Sequence, residues 1–354
     1  MNNKFFADKL IHWYRLNHRD LPWRHTRDPY YIWLSEIILQ QTRVAQGLPY
    51  YERFVETYPT VFDLAKASEQ EVIRLWQGLG YYSRARNLHQ TAQQVVNEYE
   101  GLFPNTYQGL LKLKGIGPYT AAAIASFAYD EAVAVVDGNV YRVLSRVFGI
   151  DTDIASTEGQ KQFAQLAAAL ISPEQPALYN QAIMEFGAIH CTPLSPDCLL
   201  CPLQAECVAN ATGRVSQLPV KLKKIKIKER FFHYFVIIQN GQVAMRKRTQ
   251  KDVWQHLYDF YLIEADHLAS SLDELPLSIQ FQQLLSQGTI SHPSRVYTHV
   301  LTHQRIYAKF WKINLSADFE ELTPLELDFL TPNALEDVPK PVLITSYWKE
   351  AFFD

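Results

Sequence analysis

Four cysteines, the only four in the 354-residue chain, lie between Cys191 and Cys207 at the spacing C-x6-C-x2-C-x5-C. Thiolates gathered in one short loop can surround a tetrahedral ion or a cubane cluster, since both need four soft ligands within a few ångströms. Spacing alone leaves zinc and iron-sulfur open. The competing reading, two disulfides or four unrelated thiols, belongs to an oxidising compartment. Met1 to Leu10 is too polar for a secretory core, and no stretch approaches the ~20 apolar residues of a membrane span, so a cytoplasmic protein is expected. His190 is a fifth candidate ligand, but beside a complete four-cysteine set it reads as a packed or exposed side chain.

Ahead of this loop the apolar residues recur every three or four positions. Trp33, Ile37, Ile38, Val44 and Ala45 do so in one expected helix over Ile32 to Ala45, and Val140, Val143, Leu144 and Val147 in another. An all-helical domain over 1–215 follows. The stretch Ser216 to Lys228 carries five lysines and no acid, and reads as a solvated linker over 216–229. From residue 230 to 354 the period changes to two. Phe231 to Gln239, the turn dipeptide Asn240-Gly241 and Val243 to Arg248 predict a hairpin. Further strands are expected at Tyr258 to Ile263, Val296 to Leu301 and Arg305 to Ile313, with a short helix at Ile279 to Ser286, which makes a small α+β domain.

Charge argues against a broad basic surface. The net charge is −3, with 18 Lys and Arg against 21 Asp and Glu up to residue 215, and 16 against 16 beyond it. Any contact with nucleic acid must therefore be local. The segment Leu110 to Tyr129 offers one: a helix, the turn Gly115-Ile116-Gly117, and a second helix opening at Pro118. Glycines admit close backbone approach, and helix-start amides can hold a phosphate without a lysine; the same pattern also serves as a plain helix turn.

Two carboxylates contrast. Glu36 sits among Ile32, Trp33 and Leu39, where burial would raise its pKa and make it a proton donor; alternatively Glu36, Gln40 and Arg43 form a solvated stripe. Asp137 precedes a helix start, which would hold it ionised, or it is simply a cap. One acid kept protonated and one kept charged is what glycosidic cleavage requires.

The glycine hairpin, the aspartate about twenty residues later and the cysteine loop together resemble the helix-hairpin-helix DNA glycosylases that carry a 4Fe-4S cluster. LPWR (Leu21 to Arg24), SEIILQQTRV (Ser35 to Val44), GLGYYSRARNL (Gly78 to Leu88), GIGPYTAAAI (Gly115 to Ile124) and VVDGNVYRVLSR (Val135 to Arg146) are similar to the adenine DNA glycosylases of the MutY type. The resemblance implies a monomeric enzyme that removes adenine mispaired with 8-oxoguanine or guanine in duplex DNA, with a 4Fe-4S cluster on Cys191, Cys198, Cys201 and Cys207. By position it implies that Glu36 protonates the flipped adenine and that Asp137 stabilises the sugar cation. Tyr119 and Asn139 would support the site, and Arg24, Trp23 and Gln181 would line the adenine pocket. Gln41 and Tyr81 would probe or wedge the stack, and Gly115 and Gly117 would approach the DNA backbone. Related endonuclease III-type enzymes have a lysine where this chain has Tyr119, and that amine forms a Schiff base and cuts the strand. Tyr119 cannot, which implies a monofunctional glycosylase. A bifunctional lyase and a non-catalytic, metal-stapled DNA-binding protein are the alternatives.

The C-terminal domain resembles the Nudix-related module of the same family, most clearly at Val253 to Glu264, and it lacks the glutamate-rich helix that cleaves nucleotides. It is expected to read the 8-oxoguanine base. Family members use a Phe-Ser-His loop for this; Leu301, Thr302 and His303 stand there instead, so a hydroxyl is kept and a phenyl ring is lost.

Overall fold

Apolar spacing makes the helices, and capping residues set their ends. The structure, a computed structural model, describes residues 3–222, 226–315 and 325–353. Its contacts divide into two compact units, Met1–Lys66 with Asn87–Lys223, and Ala67–Arg86 with Lys224–Asp354.

The first unit is helical: α1 (Asn3–Asn17), α2 (Pro29–Leu39), α3 (Val44–Thr57), α4 (Val61–Lys66), the part of α6 (Ser83–Tyr99) from Asn87 onward, α7 (Tyr107–Leu110), α8 (Pro118–Tyr129), α9 (Gly138–Phe148), α10 (Thr157–Leu170), α11 (Pro176–Glu185) and α12 (Val208–Ala211). Its core joins Phe6 and Leu10 of α1, Val143 and Leu144 of α9, Phe163 of α10 and Tyr179 of α11. Asp28 caps α2 by accepting from the Tyr30 amide, and Pro29 fills the first helical position, where its missing N–H costs nothing.

Three expectations change here. The repeat from Ile32 to Ala45 is two helices, because the polar residues Gln40, Gln41 and Thr42 turn the chain: Gln41 has φ +56° and the Thr42 amide donates to the Leu39 carbonyl at 3.1 Å. The helix before the glycine turn is the single turn α7. The start of the lysine-rich stretch is docked instead of solvated: Leu218 is buried, its carbonyl accepts from Arg146 Nε at 3.1 Å, and the Val220 carbonyl accepts from the Ile154 amide. Residues 223–225 of the expected linker lie outside the described residues.

The second unit contains α5 (Glu69–Trp76), the first turn of α6, and a mixed sheet of β1 (Lys228–Gln239), β2 (Gln242–Lys247), β3 (Tyr258–Asp259), β4 (Tyr261–Ala265), β5 (Gly288–Ile290), β6 (Tyr297–Val300), β7 (Gln304–Leu315) and β8 (Asp328–Leu330). Its central pair is parallel, β1 with β7 in register from Lys228 opposite Gln304 to Ile238 opposite Asn314. The Asn240-Gly241 hairpin forms as expected, both residues having positive φ. The strand expected over Tyr258 to Ile263 is interrupted at buried Phe260, so that β3 pairs with β2 and β4 with β1.

Alternation along the central strands supplies both faces of the sheet. Phe235 packs on Phe281 of α13 (Ile279–Ser286), while Phe310 stacks on Tyr347 of α15 (Val342–Phe353) with ring centroids 3.8 Å apart. α14 (Pro332–Asp337) follows β8; neither α14 nor α15 had a clear sequence signal.

Candidate active site

Glu36 projects from the middle of α2, a helix whose residues from Ile32 to Ile38 are all buried, and is itself only 8% exposed. Burial pushes its carboxyl up to about 7; the Tyr119 hydrogen bond and Arg24 pull the other way, and the charge of Asp137 adds to the rise. The Tyr119 hydroxyl, from the first turn of α8, donates to Glu36 Oε2 at 2.6 Å. Burial raises the phenol well above its ordinary range, so it remains a donor.

Asp137 is the N-cap of α9. Its Oδ1 accepts from the Val140 amide at 2.8 Å and its Oδ2 from Asn139 Nδ2 at 2.7 Å. The helix-start amides do act on this carboxyl as expected, lowering it, but they are not the largest influence. Burial raises it and outweighs the amides, Asn139 and Arg142. Glu36 and Asp137 thus share a dry environment, with Asp137 the better supplied with donors.

Arg142, one turn along α9, fixes Asn139 by donating to its Oδ1 at 2.8 Å, and donates also to the carbonyls of Gly187 and Cys191 at 2.6 and 2.8 Å. On the opposite wall Arg24 donates to Glu185 Oε2 at 2.7 Å and stands over the Tyr14 ring, while Tyr14 donates to Gln181 Oε1 at 2.8 Å. Burial would raise Glu185, but hydrogen bonds from Arg19 and Arg24 bring it to about 2. Sequence reasoning missed Glu185, Tyr14 and Arg142, which hold the expected residues in place; a buried acid and an arginine on otherwise apolar helix faces were the available signal.

Glu36, Tyr119, Asp137, Asn139, Arg24, Trp23 and Gln181 all line one cavity of about 630 Å³, and none of its described lining residues is a lysine. Gln41 does not line it; it is exposed in the turn between α2 and α3. At the hairpin Gly115 takes φ +75°, where a Cβ would also lie 2.7 Å from that of Asn87, whereas Gly117 faces open space at the start of α8.

Tyr81, with φ +50°, belongs to the second unit. Its hydroxyl is hydrogen-bonded to that of Thr302 in the β6–β7 turn, and a cavity of about 350 Å³ is lined by Tyr81, Leu301, Thr302 and His303.

Cys191, Cys198, Cys201 and Cys207 line one small cavity with Arg146 and His190, and none is in a disulfide. Arg146 Nη1 lies 3.4 Å from Cys191 Sγ, and burial pushes the Cys201 thiol up to about 11. His190 stacks on Phe186, as expected of a packed side chain. Among the described residues no three His, Cys, Asp or Glu side chains are disposed to hold a single metal ion.

Residues 34–169 match the family of HhH-GPD superfamily base excision DNA repair proteins, and residues 233–350 match the NUDIX domain. An adenine DNA glycosylase of Buchnera aphidicola from Schizaphis graminum is 35% identical over 72% of this chain and 74% of its own length. The chain belongs to the adenine DNA glycosylase family. Another member, from Arabidopsis thaliana, is 36% identical over 88% of this chain, which spans 58% of that protein's length. A thermostable thymine-DNA glycosylase superposes on 59% of the chain with a TM-score of 0.55 and 32% identity, covering 97% of its own length. No helix among the described residues is long and apolar enough to cross a membrane.

Proposed function

We propose that this adenine DNA glycosylase family member binds duplex DNA and hydrolyses the N-glycosidic bond of adenine paired with 8-oxoguanine or guanine, without cutting the strand. The observation that carries the reading is the pairing of Glu36 with the Tyr119 hydroxyl in a cavity, shared with Asp137, that has no lysine among its described lining residues. Glu36, protonated near neutrality, donates its proton to the imidazole-ring nitrogen of an adenine flipped into the cavity, so that the base leaves neutral. Asp137, as the carboxylate, stabilises the oxocarbenium-like sugar. Water then adds at the anomeric carbon and its proton goes to Glu36. Arg24, Trp23 and Gln181 form the base pocket, Gly115 and Gly117 approach a phosphate, Gln41 and Tyr81 enter the stack, and Leu301, Thr302 and His303 read the oxidised base. With tyrosine at position 119 and no lysine among the described lining residues, no Schiff base forms.

We further propose that Cys191, Cys198, Cys201 and Cys207 hold a 4Fe-4S cluster. The donor set fits: four thiols face one cavity, and Arg146 offsets the negative charge their ionisation brings. Its part is structural, since base removal transfers no electron.

The test is a single-turnover assay on duplexes with adenine opposite 8-oxoguanine, guanine, cytosine and thymine. Adenine release from the first two, with an intact strand and no stoichiometric borohydride adduct, is expected. Release regardless of the opposite base would sink the substrate assignment, and a trapped adduct the monofunctional one.

A further inference from the structure

The second unit holds another cavity, of about 480 Å³, that no step above uses. It lies where β1 begins and β2 ends, against the basic run MRKRTQK over Met245–Lys251. Six cationic side chains line it, Lys228, Arg230, Arg246, Lys247, Arg248 and Lys251, against the acids Asp252, Glu264 and Glu326. In a chain of net charge −3 this is a local excess of positive charge.

Two of these acids, Asp252 and Glu264, are engaged by arginines, while exposed Glu326 has no ion pair among the described residues. Arg230 donates to Asp252 and Glu264 at 2.6 to 3.3 Å, and Arg248 donates to Asp252 and, at 2.5 Å, to the fully buried Asp259. Asp252 thus clamps two guanidinium groups side by side. Lys228, Lys247 and Lys251 are exposed at the rim, and none of them pairs with a carboxylate among the described residues. Arg246 is steadied by the Tyr261 ring, the Leu262 carbonyl and, through Nε at 3.9 Å, buried Asp259, while no acceptor for its Nη1 lies among the described residues. Leu262 is the one apolar side chain among the described lining residues, so the cavity offers no face for stacking a base.

We propose that this cavity is a phosphate-binding site. Its ligand is a phosphate group of the DNA backbone or of a free pyrophosphate-bearing molecule, held by Arg246, Lys247 and Lys251 beside the carboxylate-paired Arg230 and Arg248.

The test titrates the full-length protein with inorganic pyrophosphate and, separately, with undamaged duplex, comparing wild type with Lys247→Glu/Lys251→Glu, two changes at exposed positions whose melting temperature is expected to match that of wild type. Pyrophosphate affinity is expected to fall at least tenfold in the double variant. If the backbone is the source, duplex affinity falls with it and the salt dependence of duplex binding flattens. If the ligand is a free molecule, duplex binding stays unchanged while pyrophosphate binding falls. No pyrophosphate binding by wild type, or equal binding by both proteins, overturns the proposal whatever the duplex does. Adenine release enters neither arm, so this result is independent of the excision assay.

Discussion

Glu36 needs a proton in order to act, and its surroundings decide when it has one. Its carboxyl is raised from 4.5 to about 7 by burial. Excision is therefore expected to fall as pH rises through about 7, read as a descending limb in single-turnover rates. Glu36→Gln removes the titrating group and should lower excision by at least about a hundredfold while duplex binding survives. Stability should move the other way. A carboxyl whose folded pKa is raised binds more protons folded than unfolded, so its ionisation costs stability as pH climbs from about 4.5 past 7. The melting temperature of Glu36→Gln should therefore exceed that of wild type at pH 8, with the gap closing toward pH 5; a gap independent of pH would refute the buried-acid account. Asp137→Asn separates the other acid's two jobs. Asparagine can still cap α9 through its side-chain oxygen but turns an NH2 donor toward Asn139 Nδ2, so thermal stability should fall modestly, while loss of the charge lowers excision by about 10²- to 10³-fold.

At the scale of elements, α9 is the hinge between chemistry and architecture. Arg142 ties Asn139 beside Asp137 to the Gly187 and Cys191 carbonyls, so the start of the cysteine loop and the carboxylate site share one buried guanidinium. Arg142→Lys keeps the charge but not the fork, and is expected to lower both excision and the melting temperature. An unchanged melting temperature would show that the loop does not depend on this link. Periodicity and caps made most of this legible: α9 runs from its Asp137 cap to Gly149, and α13 spans Ile279–Ser286 as expected. What escaped was tertiary. Nothing in the pattern over Ile32 to Ala45 announced the break after Leu39, because the apolar repeat continues on both sides of a polar turn that is stabilised by its own backbone bonds. Nor could local pattern place Glu185, whose role depends on Arg19 and Arg24, more than 160 positions away.

At the scale of the molecule, chain order and spatial membership part company. Ala67–Arg86, with α5 and the first turn of α6, lies well before the cysteine loop, yet it groups with the C-terminal residues from Lys224 onward. Glu69 meets His256 at 2.5 Å, Arg86 donates to the Gln255 carbonyl at 2.8 Å, and Tyr81 is bonded to Thr302. Such pairings between residues far apart in sequence leave no periodic trace, which is why a reading from the residues alone placed Ala67–Arg86 in the first domain. They have a measurable consequence. Each of these contacts contributes little by itself, on the order of 1 kcal/mol, but together they restrain a segment whose only continuous tethers are its two ends. In a chain ending at residue 222, amides over 67–86 should exchange with deuterium faster than in the full chain, while those of α9 and α11 keep their rates. Since Tyr81 is the residue proposed to enter the stack, faster exchange there would mean that the sheet domain positions the wedge as well as reading the oxidised base. Equal exchange in both chains would leave it only the second role.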